Sequence, residues 1–337
     1  MSDPKRPRAG AHFLFVRAGV FFALCASMLP GGPTWAQGAY PDHPIRLVVP
    51  FPPAGAGDLG ARVLADALTT NLKQPVVIDN RPGANGNIGA DNIAKSAPDG
   101  YNVLFAPMST LTINPYIYAK IPFSVERDLA PVAKVFDTAM VIEANPALGF
   151  KSLADLIAYA KKNPGKLTFA SGGNGSSTHM AGELFKNATH TDLVHIPYKG
   201  NGPALADVLG GTVNVMFDQV VSSAQHIAGG RLVALAVTSP ARQPLLPNVP
   251  TVRELGYPQL EMSAWQAVMV PAGTPPAIIE KLSKAVAEVL ADPGVRQRLE
   301  GLGATVNATS AAGLATVLQE ESKRWKQVVA AGKIKSD

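Results

Sequence analysis

The chain has 337 residues, 47% of them hydrophobic, with one cysteine and a formal net charge of +5. Residues 1–36 hold four of the 30 basic and one of the 25 acidic residues, which leaves 26 against 24, or +2, for the rest. A chain of this size buries a large core without disulfides, and the absence of a basic cluster with interleaved aromatics argues against a nucleic-acid partner.

The N-terminal segment has the layout of a secretory signal peptide. Basic residues precede an apolar run of 12 residues, Ala18–Leu29, and Thr34–Ala36 offers a cleavage site of small residues. The run is too short for a transmembrane span. An uncleaved anchor is the alternative, and a lipoprotein anchor on Cys25 is disfavoured because Leu24 stands where a small residue is expected. We therefore expect cleavage near Ala36 and an exported, soluble mature protein without cysteine.

Two series of short strands and helices follow in the chain, each in β-α-β order, which predicts parallel sheets with helices on their faces. The first series comprises the strands Ile45–Val49, Pro75–Asp79 and Asn102–Ala106 and the helices Asp58–Asn71 and Ile88–Ser96. The second comprises the strands Leu167–Ala170, Leu193–Pro197, Val213–Phe217 and Leu232–Val237 and the helices Leu153–Lys162, His179–Asn187 and Pro203–Leu209.

Two segments of extended pattern, Val132–Ala144 and Glu261–Pro271, separate the series and are interpreted as crossovers. The rest of the C-terminal part is predicted to be helical, over Pro276–Ala291, Val295–Leu302 and Ala311–Val329, and to return to the first sheet. We predict an α/β fold of two parallel-sheet domains joined by two crossover strands. Domain 1 comprises residues 37–140 and 262–337, domain 2 comprises residues 141–261, and residues 1–36 are the signal peptide.

A loop rich in proline and glycine, residues 51–58, follows the first strand and is here named the first glycine loop. Small residues let a ligand approach the backbone, and the first N–H groups of a helix have no intrahelical partner. With the helix dipole, such a corner suits a carboxylate or phosphate. The alternative is a plain turn in which Asp58 caps the helix.

A second loop, residues 171–178, follows the first strand of the second series and is here named the second glycine loop. It carries several hydroxyl and amide side chains, and Ser176 or Ser177 is the candidate helix cap. Ligands of open α/β sheets bind outside the carboxyl ends of the strands, so both loops are expected across one cleft. Helix capping alone remains the alternative for this loop.

Other candidate chemistry is less specific. His179 and Glu183 share a helix face at i, i+4. This spacing favours a helix-surface pair, or a pair that supports the ligand-contacting residues, over a metal site that would need further ligands. Lys199 is a candidate anion contact, and Asp218 either accepts a ligand ammonium or caps a helix over residues 219–227. No G-x-S-x-G motif occurs, and a hydrolase would need a pair such as Ser177 with a histidine.

The chain resembles the Bug or TctC-like extracytoplasmic solute receptors of the tripartite tricarboxylate transporters. The similarity runs in order along nearly all of the chain after the signal peptide. It is carried by Val49–Asp58, Asn80–Ala90, Pro98–Tyr101, Ser171–Ser176, His179–Glu183, Pro197–Gly200, Met216–Asp218, Leu235–Thr238, Leu246–Thr251 and Pro271–Pro275.

This resemblance implies a monomeric periplasmic binding protein of type II-like clamshell form, without catalytic residues, metal or cofactor. It would close around a small carboxylate, held by backbone groups and ordered waters at the first glycine loop, and deliver it to integral membrane transporter subunits. Ala54 and Ala56 stand where the family commonly has glycine, and Gly57 where it usually has threonine. A periplasmic hydrolase and a ligand-sensing partner of a membrane signalling protein are the alternatives.

Together, these considerations predict the following ligand contacts: Phe51, Ala54, Gly55, Ala56, Gly57, Asp58, Ser109, Ser171, Gly172, Asn174, Ser176, Ser177, Thr178, His179, Tyr198, Lys199 and Asp218.

Overall fold

The computed structural model describes residues 40–53 and 56–336, and the side chains of all of these except Ala56. The predicted signal peptide and two residues of the first glycine loop, Ala54 and Gly55, lie outside the described residues. Among the helices that are described, none combines the length and apolar character that a membrane span needs.

The described chain alternates strands and helices as the sequence predicts. In chain order the elements are β1 (Ile45–Val49), α1 (Ala56–Leu72), β2 (Val76–Asn80), α2 (Asn87–Ala94), β3 (Asn102–Pro107), a π-helical turn (Ser109–Ile113), α3 (Asn114–Ile117), α4 (Val125–Asp128), β4 (Leu129–Ala144), α5 (Leu153–Lys162), β5 (Leu167–Ser171), α6 (Ser177–Thr189), β6 (Leu193–Pro197), α7 (Asn201–Leu209), β7 (Val215–Gln219), α8 (Val220–Ala228), β8 (Val233–Val237), β9 (Ser263–Pro271), α9 (Pro276–Ala291), α10 (Pro293–Gly301), β10 (Ala304–Thr309) and α11 (Ala311–Gly332).

The strands form one mixed sheet in the order β2-β1-β3-β9-β4-β7-β5-β6, with β8 and β10 also paired to β4. Within each predicted series the pairing is parallel, β1 with β2 and β3 and β5 with β6 and β7. The crossover strands β4 and β9 pair antiparallel with each other, and β9 also pairs antiparallel with β3. The parallel pairing of the first series and of β5, β6 and β7 is thus confirmed. Strand β8, predicted in the second series, instead pairs antiparallel with β4. Antiparallel strands join the two series.

Strand β4 connects the two series because it has 16 residues. Its portion from Leu129 to Ala139 pairs with β9, and its portion from Met140 to Ala144 pairs with β7 and β8. A single extended segment therefore belongs to both halves of the sheet, and the carboxyl ends of β1, β3, β5 and β7 flank its middle.

One strand of the C-terminal part lies between two of the predicted helices and is not predicted from the sequence. Residues Ala304–Thr309 form β10, which pairs antiparallel with β4 along Lys134–Thr138. Only Ala304 of this strand is buried. An edge strand with so little buried apolar surface lacks the hydrophobic alternation that identifies a strand from sequence.

Two large groups of buried side chains hold the sheet to its helices. One group lies between the first series and helices α1, α9 and α10 and includes Leu47, Leu64 and Val286. The other extends across both series to α11 and includes Trp265 and Trp325. Trp265 therefore lies on β9 in core packing.

Candidate functional site

The first glycine loop is attached to α1 through Asp58. The helix begins at Ala56, so Asp58 lies in its first turn and the interpretation of this residue as the helix cap is wrong. The carboxylate is buried, and it accepts a hydrogen bond of 2.9 Å from Arg62 Nε and one of 2.8 Å from Asn80 Nδ2. Asn80 Nδ2 also donates to the carbonyl oxygen of Phe51 at 3.0 Å. The end of β2 thereby fixes the start of the loop against the helix.

Three uncharged polar side chains converge beside Gly57 and form what we name the cleft floor: Thr138, Gln219 and Gln266. Together with Gly57, Phe136, Leu299, Leu302 and Ala304 they line a cavity of about 20 Å³. A methyl group at Gly57 would lie 3.5 Å from Gln266 Nε2. Within the described chain, none of the three side chains makes a hydrogen bond, so their polar atoms are available to a ligand or to water.

Strand register explains this convergence. Gln266 lies opposite Phe136, and Gln219 lies opposite Met140, in antiparallel pairs. Residues 136, 138 and 140 of β4 share one face, and directly opposite residues share it too. Sequence reasoning missed the cleft floor because two of its members lie in the crossovers, although each interrupts an apolar strand pattern with a polar residue.

The side-chain hydroxyls of the second glycine loop mostly bind its own backbone. Ser176 caps α6, because its Oγ accepts a hydrogen bond of 3.2 Å from the backbone N–H of His179. Thr178 Oγ1 accepts from Gly172 N at 2.9 Å, and Ser171 Oγ accepts from Gly173 N at 3.1 Å. The exposed Asn174 and half-buried Ser177 are different, since the side chains of both lack a hydrogen bond to any described residue.

Two stacked histidines, His179 and His195, pack against the second glycine loop. The rings of His179 and His195 lie 3.8 Å apart at 11°, and Phe169 stacks on His195. The backbone N–H of Gly175 donates to His179 Nδ1 at 3.1 Å, and Ser171 Oγ lies 2.6 Å from His195 Nε2. Burial lowers the pKa of His179 to about 3 and the pKa of His195 to about 4, so both rings are neutral near pH 7.

The expected helix-surface pair of His179 and Glu183 is instead buried, which corrects the surface assignment. Its closest atoms, Nε2 and Oε1, lie 3.8 Å apart, and Lys186 Nζ donates to Glu183 Oε1 at 2.8 Å. The residues that the structure describes include no group of histidine, cysteine, aspartate and glutamate placed to hold a metal ion.

The two glycine loops approach each other through the segment that follows β2. Asn85 Nδ2 donates to the carbonyl oxygen of Gly175 at 3.4 Å, and a methyl group at Gly175 would lie 2.1 Å from Ile117 Cδ1. The ring of Phe51 approaches the neighbouring Gly86. Sequence reasoning missed Asn85, which occupies the left-handed region at φ 50° and is bonded to Asn114 Oδ1 at 2.8 Å.

The remaining predicted contacts differ in exposure. Lys199 is exposed and forms no ion pair within the described chain, whereas the hydroxyl of Tyr198 donates to Asp207 at 2.5 Å, which raises the pKa of Tyr198 to about 12. Ser109 is buried at the start of the π-helical turn. Asp218 is fully buried behind the second glycine loop. Lys199 is thus an exposed cation among the predicted contacts.

Two larger cavities lie away from the predicted contacts. One, of about 620 Å³, lies between residues 111–131 and α11, and the other, of about 590 Å³, lies between β4, β10 and α11. None of the predicted contact residues lines either cavity.

Comparison with known proteins gives one consistent result. The family model described as tripartite tricarboxylate transporter family receptor matches residues 60–334. Protein BugT of Bordetella pertussis is 41% identical over 312 residues, which cover 92% of this chain and 94% of BugT.

Two solved structures that contain carboxylates share the fold. Rpa4515 of R. palustris with adipate has a TM-score of 0.78 at 32% identity and covers 88% of this chain and 99% of its own. MatC of Rhodopseudomonas palustris with bound malate has a TM-score of 0.75 at 32% identity and covers 86% of this chain and 100% of its own. The predicted α/β periplasmic-binding-protein fold is confirmed.

Proposed function

Because the chain belongs to the tripartite tricarboxylate transporter receptor family, we propose that it is a periplasmic receptor that captures a small organic carboxylate for a membrane transporter. Receptors of this family bind solutes, and the two structural relatives named above hold adipate and malate. The exported, cysteine-free mature chain and cleavage near Ala36 belong to the same proposal.

The observation that carries this proposal is the cleft floor beside the N-terminus of α1. The helix dipole of the 17-residue α1 favours an anion at the first glycine loop. The carboxylate of Asp58 does not cancel that preference, because Arg62 and Asn80 already bind it. Amide and hydroxyl groups of Thr138, Gln219 and Gln266 then supply neutral donors and acceptors for the ligand.

The second glycine loop supplies the opposite wall. Asn174, Ser177 and the exposed Lys199 offer side chains that the described protein leaves unbonded, and Lys199 suits a second carboxylate. Di- and tricarboxylates, amino acids and aromatic carboxylates remain the candidate ligand classes. Phe51 and the backbone of residues 54–58 complete the proposed contacts on the first side.

Binding without catalysis is proposed because the serine–histidine geometry does not suit hydrolysis. Ser171 lies 2.6 Å from His195, but its hydroxyl is fully buried and bonded to the backbone of Gly173. A nucleophile must reach its substrate, and this one does not face solvent. Ser177, the alternative nucleophile, makes no hydrogen bond to a histidine in the described structure.

Two domains that close on the ligand are part of the proposal. Residues 37–140 and 262–337 would form one domain and residues 141–261 the other, with β4 and β9 as the connecting strands. A ligand that contacts both glycine loops selects the closed arrangement, because only there are both sets of contacts made. The receptor would act as a monomer.

Thermal unfolding of the mature chain, residues 37–337, tests the proposal. We expect adipate, malate, citrate, glutamate or benzoate to raise the melting temperature, with about 2.7 kcal/mol of added stability at a ligand concentration one hundred times Kd. The matched control is the corresponding amide or methyl ester, which lacks the carboxylate and is expected to have no effect. Stabilisation by none of these acids, or turnover of the ester, would contradict the proposal.

A further inference from the structure

Two carboxyl groups lie side by side in the interior behind the second glycine loop. Glu143 of β4 and Asp218 of β7, here named the buried acid pair, are both 0% exposed. Ser223 Oγ of α8 lies 2.9 Å from Glu143 Oε1 and 3.4 Å from Asp218 Oδ2. The second oxygen of Glu143, Oε2, is buried without a hydrogen-bond partner in the described structure.

No cation compensates the buried acid pair within the described chain. The strands packed against it, β7 and β8, carry no ionisable residue other than Asp218. Helix α8 contributes His226 and helix α7 contributes Asp207, and neither forms an ion pair or hydrogen bond with the pair. On β4 itself, Lys134 is paired with Asp137.

The absence of a compensating cation therefore favours retention of a proton by the buried acid pair. Two adjacent carboxylates without a cation cannot both ionise at low cost in the interior. The single hydroxyl hydrogen of Ser223 serves one carboxyl at a time. Burial raises the pKa of Asp218 to about 7, and burial together with the nearby Asp218 raises the pKa of Glu143 well above its ordinary value.

The buried acid pair is linked to the second glycine loop through Asn201. Asn201 Nδ2 donates to Asp218 Oδ1 at 3.1 Å, and the Thr178 hydroxyl donates to Asn201 Oδ1 at 3.4 Å. Thr178 Oγ1 in turn accepts from the backbone N–H of Gly172. A methyl group on Gly172 would lie 2.2 Å from Asn201 Oδ1, so the loop backbone rests directly on Asn201.

We propose that Glu143, as a neutral carboxylic acid, is a positioning residue for the second glycine loop, acting through Ser223, Asp218 and Asn201. Loss of the proton places two negative charges around Ser223, and their repulsion displaces Asp218 from Asn201. Asn201 then no longer supports Gly172 and Thr178. Ligand affinity therefore falls as pH rises through the range in which the buried acid pair loses its proton, a coupling that rests on the carboxylate-binding function proposed above.

Affinities of wild type and Glu143→Gln for adipate and malate, measured by calorimetry from about pH 6 to about pH 8, test the coupling. Loss of one charge-assisted hydrogen bond weakens wild-type binding about tenfold over this range. Glu143→Gln keeps a neutral donor and is expected to bind equally at both ends of the range, whereas Glu143→Leu binds weakly throughout. Glu320→Gln, an exposed change on α11, is the matched control and keeps the wild-type pH dependence.

Two readouts separate failure of this proposal from failure of carboxylate binding. Infrared spectra of the unliganded protein at neutral pH are expected to show a protonated carboxyl band that Glu143→Gln removes and Glu320→Gln retains. Amide exchange of residues 172–178 above pH 7 is expected to be slower in Glu143→Gln than in wild type at the same pH. A missing band, unchanged loop exchange, or identical wild-type and Glu143→Gln pH profiles for a ligand that binds would overturn the proposal.

Discussion

Asp58 is the acidic residue in the first turn of α1, and burial determines its role. An exposed aspartate at this position would interact with solvent and with an approaching ligand. With 1% exposure, its carboxylate instead joins Arg62, Asn80 and, through Asn80, the carbonyl of Phe51. We infer that the Asp58 carboxylate shapes the anion corner and does not itself contact the ligand.

Asp58→Asn is expected to destabilise the protein by about 1–3 kcal/mol, because a buried charge-assisted acceptor is lost and the ion pair with Arg62 is broken. The measurement is urea unfolding of the mature chain. Asp66→Asn on the same helix is the control, since Asp66 is 66% exposed in its pair with Arg298 and a change of within about 0.5 kcal/mol is expected. Equal effects of the two variants would contradict the structural role.

The stacked histidines His179 and His195 also make the stability of the protein sensitive to acid. The folded-state pKa of His179, about 3, lies below its ordinary value of 6.5, so the unfolded chain binds more protons between these values. Stability therefore rises with pH across this window and is lost on acidification. His179→Asn, whose Oδ1 can accept the Gly175 N–H in place of Nδ1, is expected to flatten the dependence of unfolding free energy on pH. His43→Asn, an exposed change, should leave it intact.

At the scale of secondary-structure elements, the sequence predicts those helices and strands whose bounds are marked by a local residue pattern. Strand β1, helix α5, strand β6 and helix α9 have their predicted bounds, because apolar periodicity and turn residues mark both ends. Strand β10 could not be predicted from the sequence, because it forms by pairing with β4, which is distant in the chain, and its residues are largely exposed. The cleft floor could not be predicted for the same reason, since the register between distant strands brings Thr138, Gln219 and Gln266 together.

Substitution of Gly175 tests how closely the second glycine loop packs on the segment after β3. Gly175→Ala is expected to cost about 2–4 kcal/mol and to weaken carboxylate binding, because φ is +74° and the added methyl group would lie 2.1 Å from Ile117 Cδ1. Gly149→Ala has a similar φ of +71° with no heavy atom within 4 Å, so it measures backbone strain alone. Urea unfolding and calorimetry give both quantities, and equal costs in the two variants would refute close packing at Ile117.

For the whole molecule, the sheet order explains how one cleft is built from two series. β4 and β9 run between the series, so the carboxyl ends of β1 and β5, each followed by a glycine loop, lie on either side of their middle. The sequence predicts the pairing of the loops from strand order and resemblance. It does not predict that Asp218 is fully buried or that Thr138, Gln219 and Gln266 converge beside Gly57, because burial and register are properties of the assembled sheet.

Calorimetric titration of the mature chain with adipate, malate and benzoate, in wild type and Gln266→Ala, tests the central claim most directly. The account predicts that wild type binds at least one of these acids and that Gln266→Ala binds it about tenfold more weakly, since one hydrogen bond to a charged group is lost. Gln297→Ala, an exposed change on α10, is expected to bind as wild type does. No binding of any of the acids by wild type, or equal affinity in Gln266→Ala, would contradict a carboxylate receptor with its site at the cleft floor.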